Sequence, residues 1–187
     1  LIHDQVPKHP VRVYQGDKIG VFTSEIRFKD KQDIMFASTV LEWFTAGGFE
    51  QLIIIDGILK PEKEVQGEGL FAVGASERAR KRLKEMDLNT IQRGIVSGIT
   101  GFLLSEGDRL NLDITALLSE ASPMYPDVRA AAVAIEAITE MTGVEIPLSK
   151  MLENAREIEH SVQEIIQNST PLLPSPDDDV ENDPSFG

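Results

Sequence analysis

Gly94-Ile95-Val96-Ser97-Gly98-Ile99-Thr100-Gly101-Phe102-Leu103-Leu104 is the stretch on which the reading of this chain turns. The β-branched residues up to Val96 read as the end of a buried strand. The glycines at 94, 98 and 101 let the backbone turn sharply and approach a neighbour closely. The expectation is a strand feeding a helix. Such a turn can cradle a phosphate on free N–H groups, or it can simply let a helix lie tightly on a sheet. The packing reading is preferred, because neither the dinucleotide spacing nor the Lys-Ser/Thr pair of a P-loop is present. Ser97 is not a nucleophile elbow either, since one residue too many separates it from Gly94.

Downstream, Ser105-Glu106-Gly107-Asp108 marks a helix end or turn, and Leu112 to Leu118 reads as an inner strand. Pro123-Met124-Tyr125-Pro126-Asp127 follows at the strand's C-terminal end. Asp127 is placed to cap an alanine-rich helix running to about Thr142, where its carboxylate can accept from free N–H groups. Open α/β sheets bind ligands at such strand ends, so Ser97, Gly98, Tyr125 and Asp127 make up a candidate cleft. A turn tyrosine and a capping aspartate are complete structural explanations as well.

Upstream, Val11 to Tyr14, a turn at Gln15-Gly16-Asp17 and Lys18 to Ile26 predict a hairpin. Lys31 to Ala46 has apolar residues at helical spacing and stops at Gly47-Gly48. The wholly apolar Leu52-Ile53-Ile54-Ile55, closed by Asp56-Gly57, predicts a central strand covered on both faces. Leu59 to Gly69 is a polar loop, Leu70 to Gly74 is another strand, and Ser76 caps a helix whose Ala79, Leu83 and Met86 face inward. Arg78, Arg80, Lys81, Arg82 and Lys84 on that helix predict a solvated face paired with Glu77 and Glu85. The alternation of strands and helices predicts an α/β domain with a mostly parallel sheet. Ile53, Ile54, Ile55, Val73, Ile95, Val96, Ile114 and Leu117 are its expected buried strand residues.

The last periodic segment places Leu148, Met151, Leu152, Ala155, Ile158, Val162, Ile165 and Ile166 on one helical seam. That seam can bury against its own domain or against another subunit. Beyond Ser169 come prolines and Asp177-Asp178-Asp179, Glu181 and Asp183, a composition that cannot bury a core. The organisation expected is one domain over 1–168 and a flexible acidic, proline-rich tail over 169–187.

A chain of 187 residues with 41% hydrophobic and 26% charged residues fits one globular domain. The net charge of −13 opposes nucleic acid as a partner. No run approaches the roughly 18 apolar residues of a membrane span, and the opening residues do not begin a signal peptide, so a soluble, cytoplasmic protein is expected. The absence of cysteine excludes disulfides and thiolate chemistry. His3, His9 and His160 show no metal-ligand spacing, and Asp177 to Asp179 lack the glycine of a calcium loop. No catalytic residue, cofactor or metal is expected.

Arg93 to Leu104, then Leu117-Leu118-Ser119-Glu120-Ala121, Tyr125-Pro126-Asp127-Val128-Arg129-Ala130-Ala131 and a terminal helix around Leu152-Glu153-Asn154-Ala155 together resemble the PAC2 family. These are the proteasome assembly chaperones and their archaeal relatives. The resemblance covers most of residues 10 to 168. It implies a three-layer α/β/α domain of the phosphorylase/hydrolase-like kind that binds proteasome α-subunits and forms homo-oligomers, with no established reaction. Some archaeal relatives carry a C-terminal hydrophobic-tyrosine-any residue tail that docks between α-subunits. Here Ser185, Phe186 and Gly187 stand in those places, with serine for the hydrophobic residue and phenylalanine for tyrosine. Family members also open with a strand and a glycine-rich turn into a helix, a unit expected ahead of Leu1 and missing from this chain. Two other readings stay open: an enzyme or small-ligand binder using the Ser97, Gly98, Tyr125, Asp127 cleft, and a structural homo-oligomer with no proteasome role.

Overall fold

The computed structural model describes residues 2–3, 5–26, 30–59, 69–121, 127–149 and 152–153. Two antiparallel ribbons come first, β1 (Ile2–His3) with β2 (Val6–Pro7), and β3 (Val11–Gln15) with β4 (Gly20–Ser24). The second is the expected hairpin, closed by the Gly16 N–H donating to the Ile19 carbonyl at 2.8 Å. Its Phe22 meets Phe36 and Trp43 edge to face, with ring centroids 5.2 and 5.7 Å apart. Phe36 and Trp43 lie on α1 (Asp30–Ala46), which stops where expected, with Gly48 at φ +67°.

The main sheet has four strands in the order β5 (Leu52–Leu59), β8 (Ile114–Ala121), β6 (Leu70–Gly74), β7 (Asn89–Thr90). β5 pairs parallel with β8 and β6 parallel with β7, while β6 runs antiparallel to β8. Side chains alternate across this sheet, and each face takes its own helices. Ile114, Ala116 and Leu118 pack with Phe44 of α1 and Leu104 of α3 (Gly98–Leu110). Leu117, Leu70 and Ala72 pack with Leu83 of α2 (Glu77–Glu85) and with Ala134, Ala137 and Ile138 of α4 (Val128–Thr142). The result is the three-layer α/β/α arrangement. β8 is its middle, buried from Ile114 through Glu120.

Several expectations are corrected. β5 lies at the edge of the described sheet, not its centre, and Ile55 is half exposed; a continuous apolar run does not by itself say how many neighbours a strand has. β5 also continues through Asp56-Gly57 to Leu59. Ile95 and Val96 are not on a strand: Ile95 is 96% exposed, and Val96 is half-buried in the loop entering α3. Ser105 to Asp108 does not end a helix. α3 continues through it to Leu110, and Asn111 in the left-handed region ends it.

Gly107 serves contact instead of termination. A Cβ there would stand 2.8 Å from the Ala75 Cβ and 3.2 Å from the Ile114 Cβ, so glycine lets α3 close on the sheet. Gly107→Ala should therefore destabilise by about 1–3 kcal/mol in chemical denaturation. Helix propensity alone would favour alanine by about 1 kcal/mol, so the sign of the change decides between the two effects.

Of the final periodic segment, Ser149, Leu152 and Glu153 are helical, and the Leu152 N–H donates to the Leu148 carbonyl at 2.9 Å. The rest of that seam and the tail over 169–187 lie outside the described residues, as does most of the polar loop at 60–68. Among the described residues, no helix is long and apolar enough to cross a membrane.

Candidate functional site

The parallel pair β5 and β8 brings two strand C-termini to one end of the sheet, where carboxylates gather. Asp56 Oδ2 accepts from the Thr100 hydroxyl at 2.7 Å, and its Oδ1 accepts from the Gly57 N–H at 2.8 Å. Thr100 is buried in the first turn of α3, so this bond fixes the start of that helix against β5. Gly98 sits just before it at φ +65°, a conformation that disfavours any side chain. A Cβ on Gly98 would lie 3.7 Å from Asp33 Oδ2, which places the start of α1 beside the start of α3. Ser97 is the N-cap of α3 and is exposed, and its side chain makes no capping bond.

Glu120, near the end of β8, is buried and accepts from the Gly69 N–H through Oε2 at 3.3 Å. Gly69 permits this approach, since a Cβ would come within 2.5 Å of the same oxygen. Asp127 caps α4 as expected, accepting from the Ala130 N–H at 3.0 Å. Asp127→Ala should cost about 0.5–2 kcal/mol of stability in urea unfolding, the usual effect of losing an N-cap. A change in partner binding without that loss would instead assign the carboxylate to a ligand.

Of the cleft expected from sequence, Ser97 and Gly98 begin a helix of one outer layer and Asp127 begins a helix of the other. They share an end of the sheet but not a helix layer. Tyr125, Ser185, Phe186 and Gly187 lie outside the described residues. The glycine segment acts in packing: the Gly101 N–H donates to the Ser97 carbonyl at 3.2 Å, and a Cβ on Gly101 would overlap the Val96 carbonyl oxygen at 2.2 Å.

The described cavities lie elsewhere. One of about 440 Å³ opens at the other end of β8, between Phe44, Phe49 and Leu112 on its apolar side and Ser76, Arg78, Asn111 and Asp113 on its polar side. A second, of about 610 Å³, borders the β6–β7 edge, with Arg80, Lys84, Thr90 and Gln92 among its lining residues.

Sequence reasoning missed the strongest charged contact near the first cavity. The buried Asp113 accepts from Arg82 through both oxygens, at 2.6 and 2.8 Å, and Arg78 Nε lies 3.2 Å away. Arg80 donates to the Gly74 and Ala75 carbonyls at 3.3 and 2.6 Å. Part of the expected solvated pairing is present, with Lys81 and Glu85 at 3.8 Å, but three arginines of α2 turn back to the strand ends. The signal available in sequence was the placement of Asp113 just ahead of an apolar strand, where its side chain must find a partner. On the exposed surface of α3, the Glu106 carboxyl is held below its usual range chiefly by a hydrogen bond from Arg109. Among the described residues, no group of three or more His, Cys, Asp and Glu is arranged to hold a metal ion.

Comparison with known proteins places this geometry. The family model described as the PAC2 family matches residues 1–166. An uncharacterized protein of Methanocaldococcus jannaschii is 22% identical over 172 residues, 92% of this chain and 70% of that protein. Among solved structures, the monoclinic form of Pyrococcus furiosus PbaA, described as an archaeal homolog of proteasome-assembly chaperone, superposes with a TM-score of 0.80 at 24% identity, over 90% of this chain and 70% of its own. Pyrococcus furiosus PbaB, described as an archaeal proteasome activator, gives a TM-score of 0.66 at 22% identity, over 83% and 70% of the two chains. At such identities these structures establish a shared fold.

Proposed function

The chain belongs to the PAC2 family, and from that premise we propose that it works by binding proteasome α-subunits in the cytoplasm, as a homo-oligomer, without catalysing a reaction. The observation that carries this reading is the family match over 1–166, together with a fold shared with a proteasome-assembly chaperone homologue at a TM-score of 0.80. Asp56 is held by Thr100 and Gly57, Glu120 by the Gly69 amide and Asp113 by two arginines, so each already has a structural task.

The tail is proposed as a tethered docking element over 169–187. Its prolines favour an extended chain, its carboxylates keep it solvated, and Ser185-Phe186-Gly187 offers one aromatic residue to a pocket. A homo-oligomer presents several such tails together, which raises the effective concentration of individually weak contacts. The test compares binding of purified α-subunits by the 187-residue chain and by a version ending at Pro184. Binding by the longer chain and loss in the shorter one are expected. Equal affinity would remove the tail from the reading and leave the folded domain as the contact, and no binding by either would remove the proteasome reading.

A further inference from the structure

The cavity of about 440 Å³ at the start of β8 lies at the middle of the sheet, walled by the last turn of α1, the start of α2, the end of α3 and the approach to β8. Backbone bonds fix these pieces to one another. The Leu52 N–H donates to the Asp113 carbonyl and the Ala75 N–H to the Ile114 carbonyl, each at 2.9 Å. Its size falls within the roughly 300–1,000 Å³ of small-molecule sites. Phe44 and Phe49 give it an aromatic wall, their rings stacked with centroids 6.5 Å apart, and Leu112 adds to the apolar lining.

The polar lining keeps donors in reserve. Arg82 fills both oxygens of Asp113, at 2.6 and 2.8 Å, and Arg78 touches that carboxylate only through Nε, at 3.2 Å. The two terminal nitrogens of Arg78 therefore have no partner among the described residues, and a guanidinium fork matches a carboxylate through two parallel bonds. Ser76 is 3% exposed, and its hydroxyl accepts from the Ala79 N–H at 3.2 Å, yet no described group accepts its proton. A hydroxyl carries one donor beside its acceptor sites, and a buried polar group is normally satisfied. The Glu77 and Arg78 N–H groups, the first of α2, likewise find no partner among the described residues, and they favour negative charge before the helix. Glu50, exposed, is the other carboxylate of the lining.

We propose that this cavity binds a free amino acid with a large apolar side chain. The carboxylate of the ligand takes the Arg78 fork and the Ser76 proton, its ammonium group takes Glu50, and its side chain lies on Phe44, Phe49 and Leu112. A dianionic phosphate fits less well, because Asp113 and Glu50 offset the two arginines and the whole chain carries a net charge of −13. The site stands at the N-terminal ends of β5 and β8, across the sheet from the cleft at their C-terminal ends, and it is independent of the proteasome reading.

The chain supplies its own reporter, since its one tryptophan, Trp43, has its ring centroid 4.6 Å from that of Phe49. Free phenylalanine at millimolar concentration should change the tryptophan emission of the 187-residue chain saturably, and calorimetry should return the same Kd. Arg78→Ala leaves the buried Arg82 pair in place, so it should unfold in urea much as the native chain does while weakening binding on the order of tenfold or more. Arg78→Lys should recover only part of that loss, because an ammonium group cannot match both carboxylate oxygens at once. Glu50→Gln should weaken phenylalanine but not phenylpropionate, which has no ammonium group. No saturable response to phenylalanine in either readout overturns the site. Binding that Arg78→Ala leaves unchanged overturns the placement of the carboxylate, and inorganic phosphate bound in preference to phenylalanine overturns the ligand class.

Discussion

Asp113→Ala is expected to destabilise the domain by about 3–5 kcal/mol, read as a drop in the urea midpoint at neutral pH with an unchanged slope. The reason is what the substitution leaves behind. Asp113 is buried and holds Arg82 through two short hydrogen bonds, and Arg82 is itself largely sheltered, with 21% of its side chain exposed. Removing the carboxylate strands a guanidinium whose remaining described contact is the Thr115 hydroxyl at 3.3 Å and whose Nε already lacks a partner. Arg78→Ala removes a contact to the same carboxylate, but that side chain is 72% exposed, so its loss should cost no more than about 1 kcal/mol. The contrast between the two substitutions reflects burial together with partner number, since Asp113→Ala unpairs both arginines whereas Arg78→Ala leaves the buried Arg82 pair in place. A loss below about 1 kcal/mol for Asp113→Ala would mean that the pair is solvated in solution, as surface ion pairs are.

What could be read from sequence was what local chemistry determines. Ser76 and Asp127 were legible as caps because a side-chain oxygen three residues ahead of a free N–H is a short-range signature, and the Ala79 and Ala130 N–H groups do donate to them. The β3–β4 hairpin was legible from its turn. The rank of β5 in the sheet was not, because parallel strands at the centre and at the edge share one apolar pattern and differ in neighbours supplied from far along the chain. A glycine that ends a helix and one that admits a neighbour look alike in sequence until the neighbour, here Ala75 against Gly107, is in place. The candidate cleft was partly legible: strand-end positions were found, but Asp56, Thr100 and Glu120 were not, since their pairing with one another or with Gly69 depends on strand order. β-Branching alone suggests a strand at Ile95 and Val96, where Gly94 and Gly98 on either side bound a loop.

Leu117→Ala should cost about 2–5 kcal/mol, against less than about 0.5 kcal/mol for Ile95→Ala, although both residues belonged to the same expected core. Leu117 is fully buried at the middle of β8, between Ile55 of β5 and Ala72 of β6, and it packs in the cluster that joins the sheet to Leu83 of α2 and Ala134 of α4. Truncation there removes contacts from both neighbouring strands and leaves a cavity that small residues such as Ala72 and Ala134 cannot extend to fill. Ile95, at 96% exposure, has little apolar surface to lose. Thermal or urea unfolding of the two variants therefore tests the placement of the sheet and the loop together. Equal losses would return Ile95 to the interior and undo the loop that leads into α3, while a small loss at Leu117 would contradict β8 as the central strand.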